Sequence, residues 1–235
     1  MYEDAFTPLE PLDQISPQPD LAADVDVMLG QLRHPDPRAR MQAARIFCDV
    51  EDPRAVELLL DLLQDPCPLV RVSASYALGR NAKPAIVAPV ITALKQDWNG
   101  YVRKGLVWAL GNAKDPVGLE VLVDVLERDI TAVRLWAASA LGQLNLAEPV
   151  LLEQGVMALT QSLERDPVAV VRSNCAWSIG QLLDRYPLES SSFDRLRRAL
   201  HQVLRRAMRQ DPDVGVQSDA RQALDKLAAQ EDLDE

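Results

Sequence analysis

Val70-Arg71-Val72-Ser73-Ala74-Ser75-Tyr76-Ala77-Leu78-Gly79 is the stretch that decides the fold. With Arg71 as position zero, its frame is Val at −1, small residues at +3 and +6, Leu at +7 and Gly at +8. The frame returns around Arg103 with Val102, Leu106, Ala109, Leu110 and Gly111. It returns around Arg134 with Val133, Ala137, Ala140, Leu141 and Gly142, and around Arg172 with Val171, Cys175, Ser178, Ile179 and Gly180. A degenerate first copy runs Ala39-Arg40, Ala43, Ile46-Phe47-Cys48, and a last copy runs Val216-Gln217, Ala220, Ala223-Leu224-Asp225. Successive zero positions lie 31, 32, 31, 38 and 45 residues apart. Self-similarity at such a period is the mark of a stacked repeat architecture.

Each unit contains two helical patterns. Ahead of the motif lies an amphipathic run such as Ala55-Val56-Glu57-Leu58-Leu59-Leu60-Asp61-Leu62-Leu63, with apolar residues at helical spacing. Pro53, Pro84, Pro116 and Pro149 stand where a first helical turn tolerates a missing amide. Asp36, Asp65, Asp97, Asp129, Asp166 and Asp211 precede the motif helices, where a carboxylate can cap free amides and meet the positive helix end. Small residues at +3 and +6 admit a close neighbour, and the following glycine suits close packing or a helix ending. The expectation is an all-α protein, an α-solenoid of about six helix pairs that bury their apolar faces against one another. It divides into a Pro-rich acidic arm (1–20), the repeat array (21–230) and an acidic tail (231–235). The wider spacing after Arg134 and Arg172 predicts longer first helices or loops in the last two units.

Composition narrows the function. The 235 residues carry 25 Lys and Arg against 35 Asp and Glu, a formal net charge of −10. That balance speaks against a general nucleic-acid binder or a binder of anionic membranes. No run of 18 apolar residues is present, so no membrane span is expected, and residues 1–20 lack the pattern of a signal peptide. Cys48, Cys67 and Cys175 are odd in number and widely separated, which fits reduced thiols and a cytoplasmic protein. Cys48 and Cys175 fall at buried repeat positions, and Cys67 falls in an exposed turn. Two histidines are too few for most histidine-built metal sites, so neither a metal nor another cofactor is expected.

The pattern Asp-Pro-x-x-x-Val-Arg-x-x-Ala-x-x-Ala-Leu-Gly resembles the HEAT repeat. More narrowly, it resembles the short repeats of the cyanobacterial phycobilisome-lyase-like family, over about residues 21–230. That resemblance implies a HEAT-like α-solenoid. It also implies a function among bilin lyase subunits, phycobilisome factors and scaffolds, one of which binds an iron–sulfur carrier. HEAT-like proteins that hydroxylate a modified lysine hold iron through paired His-Glu motifs. Here His34 precedes Pro35 and His201 precedes Gln202, so that activity is not expected.

Arg40, Arg71, Arg103, Arg134 and Arg172 recur once per unit beside the recurring aspartates, which suits an internal ladder of guanidinium–carboxylate pairs. A basic amphipathic helix over 194–209 sets Arg195, Arg198, Arg205 and Arg209 on one face and reads as a solvated surface. The candidate binding residues lie on a third face, at +2, +5 and +9. There stand Gln42 and Arg45; Ser73, Tyr76 and Arg80; Trp108 and Asn112; Trp136 and Gln143; and Asn174, Trp177 and Gln181. Tryptophan, tyrosine and arginine are the residue types enriched in binding hot spots. Trp98 adds an edge contact. In HEAT-type arrays the second helices line the concave side, so the expectation is a non-catalytic scaffold that grips a protein partner in a concave aromatic groove. The partner implied by the resemblance is phycobiliprotein-related or of the iron–sulfur carrier type. The alternative is a bilin lyase or isomerase subunit, with the tetrapyrrole on Tyr76, Trp108, Trp136 and Trp177 and its propionates near Arg45 and Arg80.

Overall fold

A computed structural model describes residues 21–188 and 191–231. The arm expected over 1–20 and most of the acidic tail lie outside the described residues. Among the described residues, twelve α-helices form six consecutive pairs. They are α1 (Leu21–Gln31) with α2 (Pro37–Ile46), α3 (Ala55–Asp61) with α4 (Pro68–Arg80), and α5 (Val87–Gln96) with α6 (Gly100–Ala113). There follow α7 (Leu119–Arg128) with α8 (Thr131–Gln143), α9 (Pro149–Arg165) with α10 (Ala169–Arg185), and α11 (Asp194–Gln210) with α12 (Val214–Glu231). Short 3-10 turns lead into α5, α7 and α11, and there is no strand among the described residues. Among them, too, no helix is long and apolar enough to cross a membrane. The added length of the fifth unit lies in its first helix, since α9 has 17 residues against 10 in α5 and α7, while that of the sixth is shared by a 17-residue α11, a 17-residue α10 and a longer connection between them.

The motif positions build the core. Val70, Ala74, Ala77 and Leu78 are fully buried, as are Val102, Leu106 and Ala109, and Val133, Ala137 and Leu141. The even-numbered second helices pack on one another in series from α2 to α12, and each first helix covers its own partner. The motif glycines serve close approach rather than helix ending. A Cβ on Gly79 would run into the ring of Trp108 in the next unit, and a Cβ on Gly111 would stand 3.0 Å from Cα of Ala140.

The arginine ladder links each unit to the next. Arg40 pairs with Asp65, Arg71 with Asp97, Arg103 with Asp129, Arg134 with Asp166, and Arg172 with Asp211, at 2.6 to 2.8 Å. In every rung after the first the same guanidinium also donates to the carbonyl of its own unit's aspartate, as Arg71 does to Asp65 O at 2.8 Å and Arg172 to Asp166 O at 2.9 Å. The aspartates depart from their expected role as caps of the motif helices. Only Asp36 caps its motif helix, accepting from the amide of Arg38 at 2.9 Å. Asp97, Asp129, Asp166 and Asp211 are instead the C-terminal cap residues of the first helices. Their carboxylates accept from the linker, as Asp97 does from the amide of Asn99 at 2.8 Å and Asp166 from that of Val168 at 2.9 Å. Each carboxylate therefore fixes its own linker and receives the preceding unit's guanidinium.

Candidate functional site

Of the candidate binding residues at +2, +5 and +9, all but Ser73 reach solvent at least in part, but they differ in what they touch. Tyr76 and Trp108, on neighbouring helices, bring their ring centroids to 5.7 Å at a 44° tilt. Both are half-buried, because Trp108 lies over the space that Gly79 leaves open. Burial pushes the Tyr76 hydroxyl up to about 12. Trp136 is half-buried against the core, and Trp177 is 41% exposed. Gln42, Arg45 and Arg80 are exposed, while Ser73 is buried and donates to the carbonyl of Leu69 at 3.1 Å. Arg80 reaches Glu51 at 3.5 Å across an open surface, where such pairs contribute little.

The amides split between fold and surface. Asn112 donates to the carbonyl of Gly79 at 3.1 Å, and Asn174 donates to Leu135 O and Ser139 Oγ, both at 2.7 Å. Those two side chains bind the preceding helix. Gln143 and Gln181 are half-buried on the same row, and the carbonyl of Gln143 accepts from Arg185 at 3.1 Å. Trp98 is 75% exposed, beside equally open Tyr101, at the edge where α5 turns into α6. It helps to line a cleft with Asp65, Arg71 and Asp97 on the ladder, away from the aromatic row.

Lys104 lies outside the +2, +5 and +9 positions of its repeat. It stands one turn before Trp108 on α6 and extends over the next unit, its Nζ 5.0 Å from the Trp136 ring centroid. A lysine over an indole face gains from the ring's negative quadrupole. The ammonium is half-buried, and desolvation lowers its pKa below the ordinary lysine value. The signal in the sequence was its i, i+4 relation to Trp108, which puts both on one face.

The basic helix forms as expected. On α11, Leu196, Leu200 and Leu204 are buried while Arg195, Arg198, Arg205 and Arg209 are exposed. Two other arginines on that helix are engaged, Arg197 with Asp194 and Arg206 with Glu164. The thiols depart slightly from expectation. Cys175 is buried, but Cys48 and Cys67 are each half-buried, Cys67 because it is the residue that enters α4. Burial raises the Cys48 thiol to about 12 and raises Cys175 as well, so neither is a ready nucleophile.

A family model described as HEAT repeats matches residues 25–90 and 87–180. None of the curated proteins matches the chain. Several solved structures share its fold. An engineered protein is 21% identical, with a TM-score of 0.64 over 88% of this chain and 97% of its own. A designed armadillo repeat protein in complex with the peptide (KR)4 is 19% identical, with a TM-score of 0.64 over 87% and 99%. The archaeal HEAT-like repeats protein from Thermococcus onnurineus NA1 is 10% identical, with a TM-score of 0.60 over 97% and 99%.

Proposed function

The chain belongs to the HEAT-repeat family, and on that premise we propose that it is a non-catalytic adaptor holding a protein partner on the aromatic row of its second helices. One observation carries this reading. Tyr76, Trp108, Trp136 and Trp177 stand on four successive second helices outside the positions that fill the core, and none of them is fully buried. Large rings that stay partly exposed lose few rotamers on binding and bury much area, which is why they anchor interfaces. The second helices also pack more closely in series than the first helices do. That closer packing supports a row on the inner side of the curve. A rigid row of this kind spends little ordering entropy on its ligand. The designed armadillo repeat protein in complex with the peptide (KR)4 is an example of a similar fold engaging a peptide.

The cytoplasm suits three free, separated thiols. Within this reading, partners of phycobiliprotein-related or iron–sulfur-carrier type remain the specific proposals. A second reading, a bilin-handling phycobilisome factor, draws on one observation: Arg45 and Arg80 stand exposed beside the rings, where propionates could pair. The test is affinity capture from native extract with the wild-type chain and with a Trp136→Ala, Trp177→Ala double variant. A partner retained by the first and lost by the second supports the adaptor. A bilin whose absorbance shifts on mixing, and which is passed covalently to a phycobiliprotein subunit, would replace it with the second reading.

A further inference from the structure

The second helices of the first four units contain no aspartate or glutamate at all. Their sequences, from α2 through α4 and α6 to α8, hold Arg38, Arg40, Arg45, Arg71, Arg80, Arg103, Lys104 and Arg134 and no acid. This occurs in a chain whose formal net charge is −10. Three of the first helices show the opposite bias: Glu57 and Asp61 on α3, Glu120, Asp124 and Glu127 on α7, and Glu153 and Glu164 on α9 are all exposed, whereas α5 carries Lys95 and no acid. The acid-free second helices therefore stand against a first layer that is acidic at α3, α7 and α9.

Four of the eight cations (Arg40, Arg71, Arg103 and Arg134) are neutralised in the ladder. Arg45, Arg80 and Lys104 belong to the aromatic row. Arg45 and Lys104 have no carboxylate partner among the described residues, and Arg80 has the long, open contact to Glu51. Lys104 is the telling member. It is half-buried, and its ammonium rests on the Trp136 ring rather than on an acid. A partly desolvated cation without a counter-ion gains more from an arriving carboxylate than a fully solvated one does.

We infer that the occupant of this face is an acidic, extended protein segment, its carboxylates pairing with Lys104, Arg80 and Arg45 and its apolar side chains lying on Trp108 and Trp136. This rests on the adaptor reading and specifies the partner's chemistry. The length fits. Neighbouring helices stand about 8–10 Å apart, so the row from α2 to α8 spans roughly 30 Å. An extended segment of about nine residues covers that distance at ~3.3 Å each. A nucleic-acid strand is the poorer match, because the acidic first helices α3 and α7 flank the row and its three cations are interleaved with rings rather than forming a continuous phosphate track.

The experiment measures binding of the full chain to three probes. These are a short synthetic peptide alternating glutamate with leucine and phenylalanine, the same peptide with lysine in place of glutamate, and oligo-dT. Fluorescence of Trp108 and Trp136 reports occupancy. The acidic peptide should bind best, and Lys104→Met, which keeps a stem over Trp136, should weaken it at least tenfold with unchanged helical dichroism and melting. Arg45→Ala should weaken it by a smaller factor. Preference for the lysine peptide or for oligo-dT overturns the inference, as does an acidic peptide whose affinity is lost with Arg198→Glu, Arg205→Glu but not with Lys104→Met. If Trp136→Ala and Trp177→Ala abolish capture of the native partner while Lys104→Met leaves it intact, the acidic-segment inference fails and the adaptor reading stands. If none of these substitutions matters, both fail.

Discussion

Arg103 and Asp129 meet across a repeat boundary through two parallel hydrogen bonds, Nε donating to Oδ2 at 2.7 Å and Nη2 to Oδ1 at 2.6 Å. The carboxylate side chain is 9% exposed and the guanidinium 19%. Bidentate geometry and partial burial set this pair apart from ordinary surface ion pairs. Because repeat arrays owe their stability to nearest-neighbour interfaces, the pair acts on the coupling between units rather than on either unit alone.

Removing one member should therefore cost more than removing both. Arg103→Ala leaves Asp129 buried without its counter-ion, and the expected loss is about 3 kcal/mol. Arg103→Met with Asp129→Leu should lose less than the single variant. Urea unfolding of the set, arranged as a double-mutant cycle, measures the coupling. A single variant within ~0.5 kcal/mol of wild type would show that the ladder contributes little.

The last rung gives a pH dependence with a definite sign. The Arg172 guanidinium, donating to Asp211, holds that carboxyl below the ordinary aspartate range. A depressed folded pKa means that the stabilisation is fully present above the unfolded value, ~3.9. It is lost as pH falls below ~4 and through the depressed value. Hydrogen exchange of α12 should accelerate over that window, and Asp211→Asn should remove the window while raising exchange at neutral pH. A variant with the wild-type acid slope would place the transition elsewhere.

The repeat frame made the core legible, because burial at −1, +3 and +7 follows from helical geometry alone. The role of the aspartates was also present in the spacing. Asp36 stands four residues before Arg40, at the helix entry, whereas Asp65, Asp97, Asp166 and Asp211 stand six before their zero positions, two residues too early to cap that helix. Asn112 and Asn174 were legible as surface amides, but not as donors to Gly79 O and Leu135 O. That use depends on how closely two helices approach. Lys104 escaped because its contact with Trp136 crosses between units, and a periodic frame gives no sign of a residue that occurs in one repeat only.

Gly79 tests the packing that shapes the aromatic row. Gly79→Ala places a methyl against the Trp108 ring and should cost about 1–3 kcal/mol, the usual scale of overpacking. It should also shift tryptophan emission by moving Trp108. Gly30→Ala is the control, since a Cβ there meets nothing within 4 Å and α1 should gain up to ~1 kcal/mol. Equal destabilisation by both would mean that backbone effects, not the Trp108 contact, set the cost.

Exposure orders the final set of variants. Leu110 is 1% exposed and Trp177 is 41% exposed, with Trp108 between them. Leu110→Ala should lower stability by about 2–5 kcal/mol, the cost of a core cavity. Trp177→Ala should stay within ~1 kcal/mol, because much of its ring already meets water. Trp108→Ala should fall between the two, since it gives up its contacts with Gly79 and Tyr76. Binding should run in a different order. Trp177→Ala and Trp108→Ala should each weaken partner affinity by about 2 kcal/mol, while Leu110→Ala should act only through unfolding. Urea midpoints and affinities at a temperature where all three remain folded separate the two quantities. If Trp177→Ala leaves affinity unchanged and Trp108→Ala loses as much stability as Leu110→Ala, the aromatic row is packing, and the partner binds elsewhere.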